Sequence, residues 1–256
     1  MKNKNNILIA ILIIIFVIFQ IFILIRKDNN YIYIGNFTKV TVKKNNIKII
    51  NKNKKLDLSK VMIYFNEEFI PGYIKSEKSD INNEKLLYNA YDTKGNTLQF
   101  TDDLIAYTGD KEIKIASPNI LELPLDKDNE IINDYIFNKA KNKIETDYQI
   151  DYRDYKKIIF DIDNDGDNET IYSLDVVEGD ENEYSYVFIV DDEEIKTISE
   201  KSGSVQNVNL EKILFFKLID FDNDGKYEIV LRLKNGDYGN NYYKIYSYNE
   251  SIKEIK

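Results

Sequence analysis

The chain has 256 residues, enough for one or two ordinary domains, and its 43% hydrophobic and 31% charged content belongs to a folding polypeptide. It contains no His, Cys or Trp, which removes imidazole bases, thiol nucleophiles, disulfides and thiolate or imidazole metal ligands, so any chemistry must run on Asp, Glu, Lys, Arg, Ser, Thr or Tyr. A net charge of -9 argues against a nucleic-acid partner, which needs a basic patch, and makes cation binding the natural use of the acidic excess.

Residues 1–6 precede ILIAILIIIFVIFQIFILI at residues 7–25, a run in which Gln20 is the one polar side chain. At the helical rise such a run spans roughly 30 Å of hydrocarbon, and a soluble helix would show a polar face that this one lacks. A cleavable signal has an apolar core of about 7 to 15 residues followed by small residues, whereas Arg26, Lys27 and Asp28 follow here. The expectation is a single-pass anchor in the cell membrane, with residues 1–6 cytoplasmic and the bulk of the chain extracytoplasmic. Lys2 and Lys4 face Arg26, Lys27, Lys39, Lys43 and Lys44 across the run, a count that leans the other way, but large domains translocate largely regardless of loop charge.

Residues 26–125 read as a small antiparallel β domain, with a sandwich as one form it could take. Tyr31 and Tyr33 either sit at the lipid headgroups or begin a strand. Period-two alternation then runs through Val40 and Val42, through Ile47 and Ile49, and through Val61, Ile63 and Phe65, with turns expected at Asn45-Asn46 and Pro71-Gly72. Lys94-Gly95-Asn96 and Gly109-Asp110 each separate two strand-like runs. The segment AYDTKGNTLQF resembles strand-turn-strand segments of bacterial immunoglobulin-like domains.

Between residues 128 and 147 the period changes. Ile132, Ile136, Ala140 and Ile144 recur at i, i+4, joined by Ile131 and Tyr135, behind an Asp128 cap and Glu130 in the first turn. This predicts one amphipathic helix whose apolar stripe packs on a neighbouring sheet.

Residues 150–256 contain KKIIFDIDNDGDNETIYSL and FFKLIDFDNDGKYEIVLRL. At a displacement of 59 residues, Asp161, Asp163, Asn164, Asp165, Gly166 and Glu169 align with Asp220, Asp222, Asn223, Asp224, Gly225 and Glu228 without a gap. Looser similarity continues downstream, and each unit reads as four strands with an acidic loop after the first, a meander or propeller-blade-like sheet. The fold class expected is therefore mainly β with one amphipathic helix.

The spacing D-x-D-x-D-G-x-x-E suits a hard cation such as calcium, which takes six to eight oxygen ligands at about 2.3 to 2.6 Å. The carboxylates of Asp161, Asp163, Asp165 and Glu169 and the carbonyl of Asp167 would serve the first ion. Asp220, Asp222, Asp224, Glu228 and the carbonyl of Lys226 would serve the second. Gly166 and Gly225 permit the sharp turn, and carboxylates this crowded repel one another without a cation. An EF-hand is excluded because its position-12 Glu is replaced by Tyr172 and Leu231 and because strand-like residues flank both loops. A haloacid-dehalogenase-like phosphatase wants Thr or Val where Asp165 stands, and carboxylates engaged with a metal are poor glycosidase nucleophiles or acids.

The two loops resemble the FG-GAP and VCBS class of calcium-loop repeats, found in integrin α-chain propellers and many bacterial surface proteins. That resemblance covers residues 155–255 and implies antiparallel blades, two structural Ca2+ sites and a role in adhesion or ligand binding. Two units are too few for a closed propeller of four to eight blades, so a compact two-unit sheet or sandwich is expected. Two functional classes follow: a membrane-tethered extracytoplasmic module that binds a protein or glycan without turnover, or an accessory or sensor subunit of a membrane complex. An unrecognised hydrolase is a third and weaker reading, since no acidic pair stands free.

Overall fold

Alternation of apolar and polar residues draws most of the described chain into antiparallel strands, because each such strand buries one face and hydrates the other. The computed structural model describes residues 14–16, 30–35, 38–43, 46–51, 57–78, 86–99, 103–122, 130, 134–135, 150–152, 155–178, 182–191, 194–204, 211–235 and 241–256. These fall into two units, Met1–Glu112 and Ile113–Lys256. The anchor expected at 7–25 lies outside the described residues except for Ile14, Ile15 and Phe16, which are helical and exposed. No helix among the described residues is long and apolar enough to cross a membrane.

The first unit holds β1 (Asn30–Ile34), β2 (Thr38–Lys43), β3 (Asn46–Asn51), β4 (Leu58–Phe65), β5 (Glu68–Lys78), β6 (Leu86–Asp92), β7 (Thr97–Leu98) and β8 (Ile105–Thr108). Among the described residues they make one sheet in the order β3-β2-β1-β8-β4-β5-β6-β7. Val61, Ile63, Ile74, Ala90, Leu104 and Ala106 form its buried cluster. Tyr31 and Tyr33 lie in β1, with the Lys39 ammonium 3.8 Å from the centre of the Tyr31 ring.

Two turns differ from the sequence reading. Pro71-Gly72 does not reverse the chain; it lies inside β5, where Pro71 faces Met62 and Gly72 faces Val61 and Asp92. A Cβ on Gly72 would collide with the Tyr91 carbonyl, so glycine is there for close strand approach. The reversal comes at Asn66 and Glu67, both left-handed with φ of 50° and 67°, which is the two-residue hairpin turn that follows strand twist best. Gly109-Asp110 likewise does not close a hairpin, because Lys114–Ile115 pairs with a strand of the second unit.

That second unit holds β9 (Lys114–Ile115), β10 (Asn119–Leu121), β11 (Ile150–Tyr152), β12 (Lys156–Phe160), β13 (Glu169–Glu178), β14 (Asn182–Asp191), β15 (Glu194–Ser204), β16 (Glu211–Asp220), β17 (Glu228–Asn235), β18 (Tyr242–Asn249) and β19 (Ser251–Ile255). Two four-stranded meanders result, β12 to β15 and β16 to β19, and each gains an edge strand beside its first member: β10 on β12 and β9 on β16. Ile171, Ser173 and Asp175 of β13 point to one face while Tyr172 and Leu174 point to the other, as a period of two requires. The inner faces share one cluster in which Ile158, Ile162, Ile171, Val187 and Ile189 meet Ile213, Leu218, Ile229, Leu231 and Leu233. Each such side chain, fully buried, contributes about 1.5 to 3 kcal/mol.

A polar seam crosses the same interior. Asp175, fully buried, accepts hydrogen bonds from Ser185 Oγ at 2.6 Å and Lys212 Nζ at 2.7 Å, while the Phe215 N–H, freed near a register shift in β16, donates to Ser173 Oγ at 2.9 Å. On the outer face of the first meander, Tyr135 stacks on Phe188 and shares a 2.7 Å hydrogen bond with Thr197. Glu130, Asp134 and Tyr135 are helical, and the rest of the helix expected over 128–147 lies outside the described residues.

Candidate metal centre

The acidic segments 161–168 and 221–227 are the loops between the first and second strands of the two meanders, joining β12 to β13 and β16 to β17, with Asp220 the last residue of β16. Each is wound on its own first aspartate. Asp161 accepts the N–H groups of Asp165 at 3.2 Å and Gly166 at 3.1 Å, and Asp220 accepts those of Asp224 at 3.1 Å and Gly225 at 3.0 Å. Asp165 accepts the Asp167 N–H and Asp224 accepts the Lys226 N–H, both at 2.9 Å. The ninth residue reaches back: Glu169 accepts from the Ile162 N–H at 2.7 Å, and Glu228 from Phe221 at 3.3 Å. Backbone angles repeat as well, with φ of 61° at both Asn164 and Asn223, 104° at Gly166 and 92° at Gly225. Left-handed Asn followed two residues later by left-handed Gly curls eight residues into a cup without strain from bulkier side chains.

Potential ligand atoms of Asp161, Asp163 and Glu169 lie within 4.8 Å of one another in the first loop, and those of Asp220, Asp222 and Asp224 in the second. The two triads are not the same positions: Asp165 is outside the first and Glu228 outside the second. Asp167 is exposed, and Lys226 half-buried. In both loops the third-position aspartate keeps a buried oxygen with no hydrogen-bond partner, Asp163 Oδ1 and Asp222 Oδ1. Asp163 is 9% exposed overall. Two buried carboxylate oxygens left without donors, at equivalent places, would each cost free energy unless a cation supplies the missing positive charge.

The electrostatics agree. Burial first, then repulsion from Asp165 and Asp161, raises the Asp163 carboxyl above its ordinary range, with Lys226 acting in the opposite direction. Burial raises Glu169 to about 7, against the lowering effect of the Ile162 N–H and with further upward pushes from Asp163, Asp165 and Asp191. Asp222 is raised by burial and by Asp224 and Asp220. Glu228 is pushed up to about 8, chiefly by burial, with Asp222, Asp224 and Asp220 adding to it. A hard divalent cation reverses each of these pushes at once, and an all-oxygen donor set suits such an ion.

Other residues at the site gave no pattern in the sequence. Asp191 acts on Glu169 from the end of β14, and is itself lowered by hydrogen bonds from Tyr248 and Lys196. The loops also touch: the Tyr227 N–H donates to the Ile162 carbonyl at 2.8 Å, and the Tyr227 ring meets Phe160 edge-on at 5.0 Å. Only the second copy of Asn in D-x-D-N-D-G could have signalled the shared left-handed corner.

No protein-family model, no curated protein and no solved structure matches this chain. The class its fold and site define is a mainly β, antiparallel protein whose second unit carries two acidic loops of one conformation.

Proposed function

We propose that this chain is a non-enzymatic calcium-binding module, with one structural ion in each of the loops 161–169 and 220–228, tethered to a membrane by residues 7–25 and presenting its β units outside the cell to a protein or glycan. The observation that carries the calcium reading is the pair of buried, partnerless oxygens, Asp163 Oδ1 and Asp222 Oδ1, in two loops of identical winding. Resemblance of D-x-D-x-D-G-x-x-E to FG-GAP and VCBS loops supports calcium over magnesium, which demands stricter octahedral geometry. Membrane tethering rests on the nineteen-residue apolar run.

Extracellular modules bind calcium at about 10⁻⁴ to 10⁻³ M, so external calcium would keep such loops filled and make the ions struts. At about ten times the dissociation constant, each ion adds roughly 1.4 kcal/mol to a fold worth about 5 to 15 kcal/mol. Thermal unfolding of the full chain with calcium against excess chelator tests this, comparing wild type with Asp163→Ala and Asp222→Ala. Calcium should raise the midpoint, and each substitution should remove part of the rise. A midpoint indifferent to calcium sinks the reading.

A further inference from the structure

Each acidic loop is wound on its own residues, yet one backbone hydrogen bond passes between the two, and it does so at ligand positions. The Tyr227 N–H donates to the Ile162 carbonyl at 2.8 Å. The donating peptide joins Lys226, whose carbonyl takes position seven of the second loop, to Tyr227, and Glu228 at position nine follows directly. The accepting peptide joins Ile162 to Asp163, the aspartate whose buried Oδ1 has no hydrogen-bond partner. Ile162 is held from its other side too, because its N–H donates to Glu169 Oε2 at 2.7 Å. Around this bond the loops abut: the Tyr227 ring meets Phe160 edge-on at 5.0 Å, and a Cβ on Gly225 would stand 3.3 Å from Asn164 Nδ2.

We propose that the two loops take their divalent cations as a coupled pair, with the Lys226–Tyr227 peptide as the link, so that filling either loop raises the affinity of the other. The inference rests on the reading of both loops as calcium sites. A trans peptide directs its C=O and N–H to opposite sides, so the unit that gives its N–H to Ile162 keeps its carbonyl for the second loop. A cation on that carbonyl polarises the amide and makes the N–H a stronger donor, as happens along any chain of hydrogen bonds in a poorly hydrated site. Ordering acts in the same direction. Once residues 226 and 227 are fixed, Ile162 is fixed with them, and so are Asp161 and Asp163 on either side of it and Glu169 through its own bond to Ile162. The first loop's ligands then lose less freedom when their own ion arrives. By linkage the effect is reciprocal. Repulsion between two divalent ions opposes the coupling, but salt screens it over about 8 Å at ~0.15 M and leaves the hydrogen bond in place.

The test is calorimetric calcium titration of the full chain at ~0.15 M salt as wild type, Asp163→Ala and Asp222→Ala, each substitution leaving one loop to fill. The product of the two wild-type stepwise constants, divided by the product of the two single-site constants, is the coupling factor. Repeating the set with Tyr227→Pro added deletes the donor N–H and cancels the effect of the charge removed with each aspartate. The factor should be about five- to tenfold larger in the parent set than in the Tyr227→Pro set, the lower end for coupled sites. A parent factor no larger than that of Tyr227→Pro overturns the proposal. Should Tyr227→Pro not fold, hydrogen exchange of Asp163→Ala decides. Calcium, which only the second loop can then take, should slow the Ile162 amide of the first loop more than the amides of β14; equal slowing, which global stabilisation alone would give, overturns the proposal. If wild type binds two ions and the coupling factors match, the calcium reading stands and the coupling falls. If wild type binds none, both fall.

Discussion

Replacing Glu228 by Gln should stabilise the protein when calcium is absent and stabilise it less when calcium is present. Burial and the three aspartates of its loop raise Glu228 from 4.5 to about 8 in the folded state. A raised acid keeps its proton on folding, so the penalty is absent below pH 4.5, grows as pH rises from 4.5 to about 8, and is complete above it. At pH 7 the unfolded carboxyl is ionised, the folded one is mostly protonated, and the difference costs about 3 kcal/mol at about 1.4 kcal/mol per pH unit above 4.5. Gln cannot ionise, so in chelator at pH 7 Glu228→Gln should raise the midpoint by roughly 6 to 12 °C, taking about 2 to 4 °C per kcal/mol for a unit of this size. Near pH 4.5 the two proteins should melt together. With calcium at about ten times its dissociation constant the gap should narrow by up to about 1.4 kcal/mol, because the variant lacks one ligand charge. Thermal melts at both pH values, with and without calcium, check all of this. A Gln variant that is less stable than wild type in chelator at pH 7, or a gain of equal size at pH 4.5, would refute the reasoning.

Gly166 and Gly225 both have positive φ, so alanine at either should cost about 1 to 2 kcal/mol in chemical denaturation. Gly225→Ala should cost more, because its new methyl meets Asn164 Nδ2 at 3.3 Å whereas nothing lies within 4 Å of one on Gly166. Asp175→Ala should cost about 1 to 3 kcal/mol by removing the buried acceptor of Ser185 Oγ and Lys212 Nζ, and adding Lys212→Met should cost less than it does in wild type, a non-additivity readable in a double-mutant cycle.

What the sequence showed was set by the range over which the causes act. The loop winding is local: Asp161 and the N–H groups it accepts are four and five residues apart, so spacing alone was enough to predict a curled acidic cup. Alternation in β12 to β19 is also local, and it reads directly as strands. By contrast, Pro71-Gly72 looks like a turn because composition marks it so, and only the approach of the Tyr91 carbonyl, nineteen residues away in sequence, explains a glycine inside a strand. The split of β9 and β10 between two sheets depends on partners at Ile219 and Ile159, which no window around residues 113–121 contains.

The same distinction separates the parts of the candidate site. Ligand residues recur at fixed intervals within each loop, and repetition at 59 residues made them visible. Their surroundings do not repeat: Lys226 stands where the first loop has Asp167, Asp191 reaches Glu169 from another strand, and the Tyr227 to Ile162 hydrogen bond joins the loops in one direction. Two loops of one sequence pattern and one backbone conformation are thereby given different electrostatic settings. If both take calcium, they should do so with different affinities, because the charge that distinguishes them lies outside the motif that defines them.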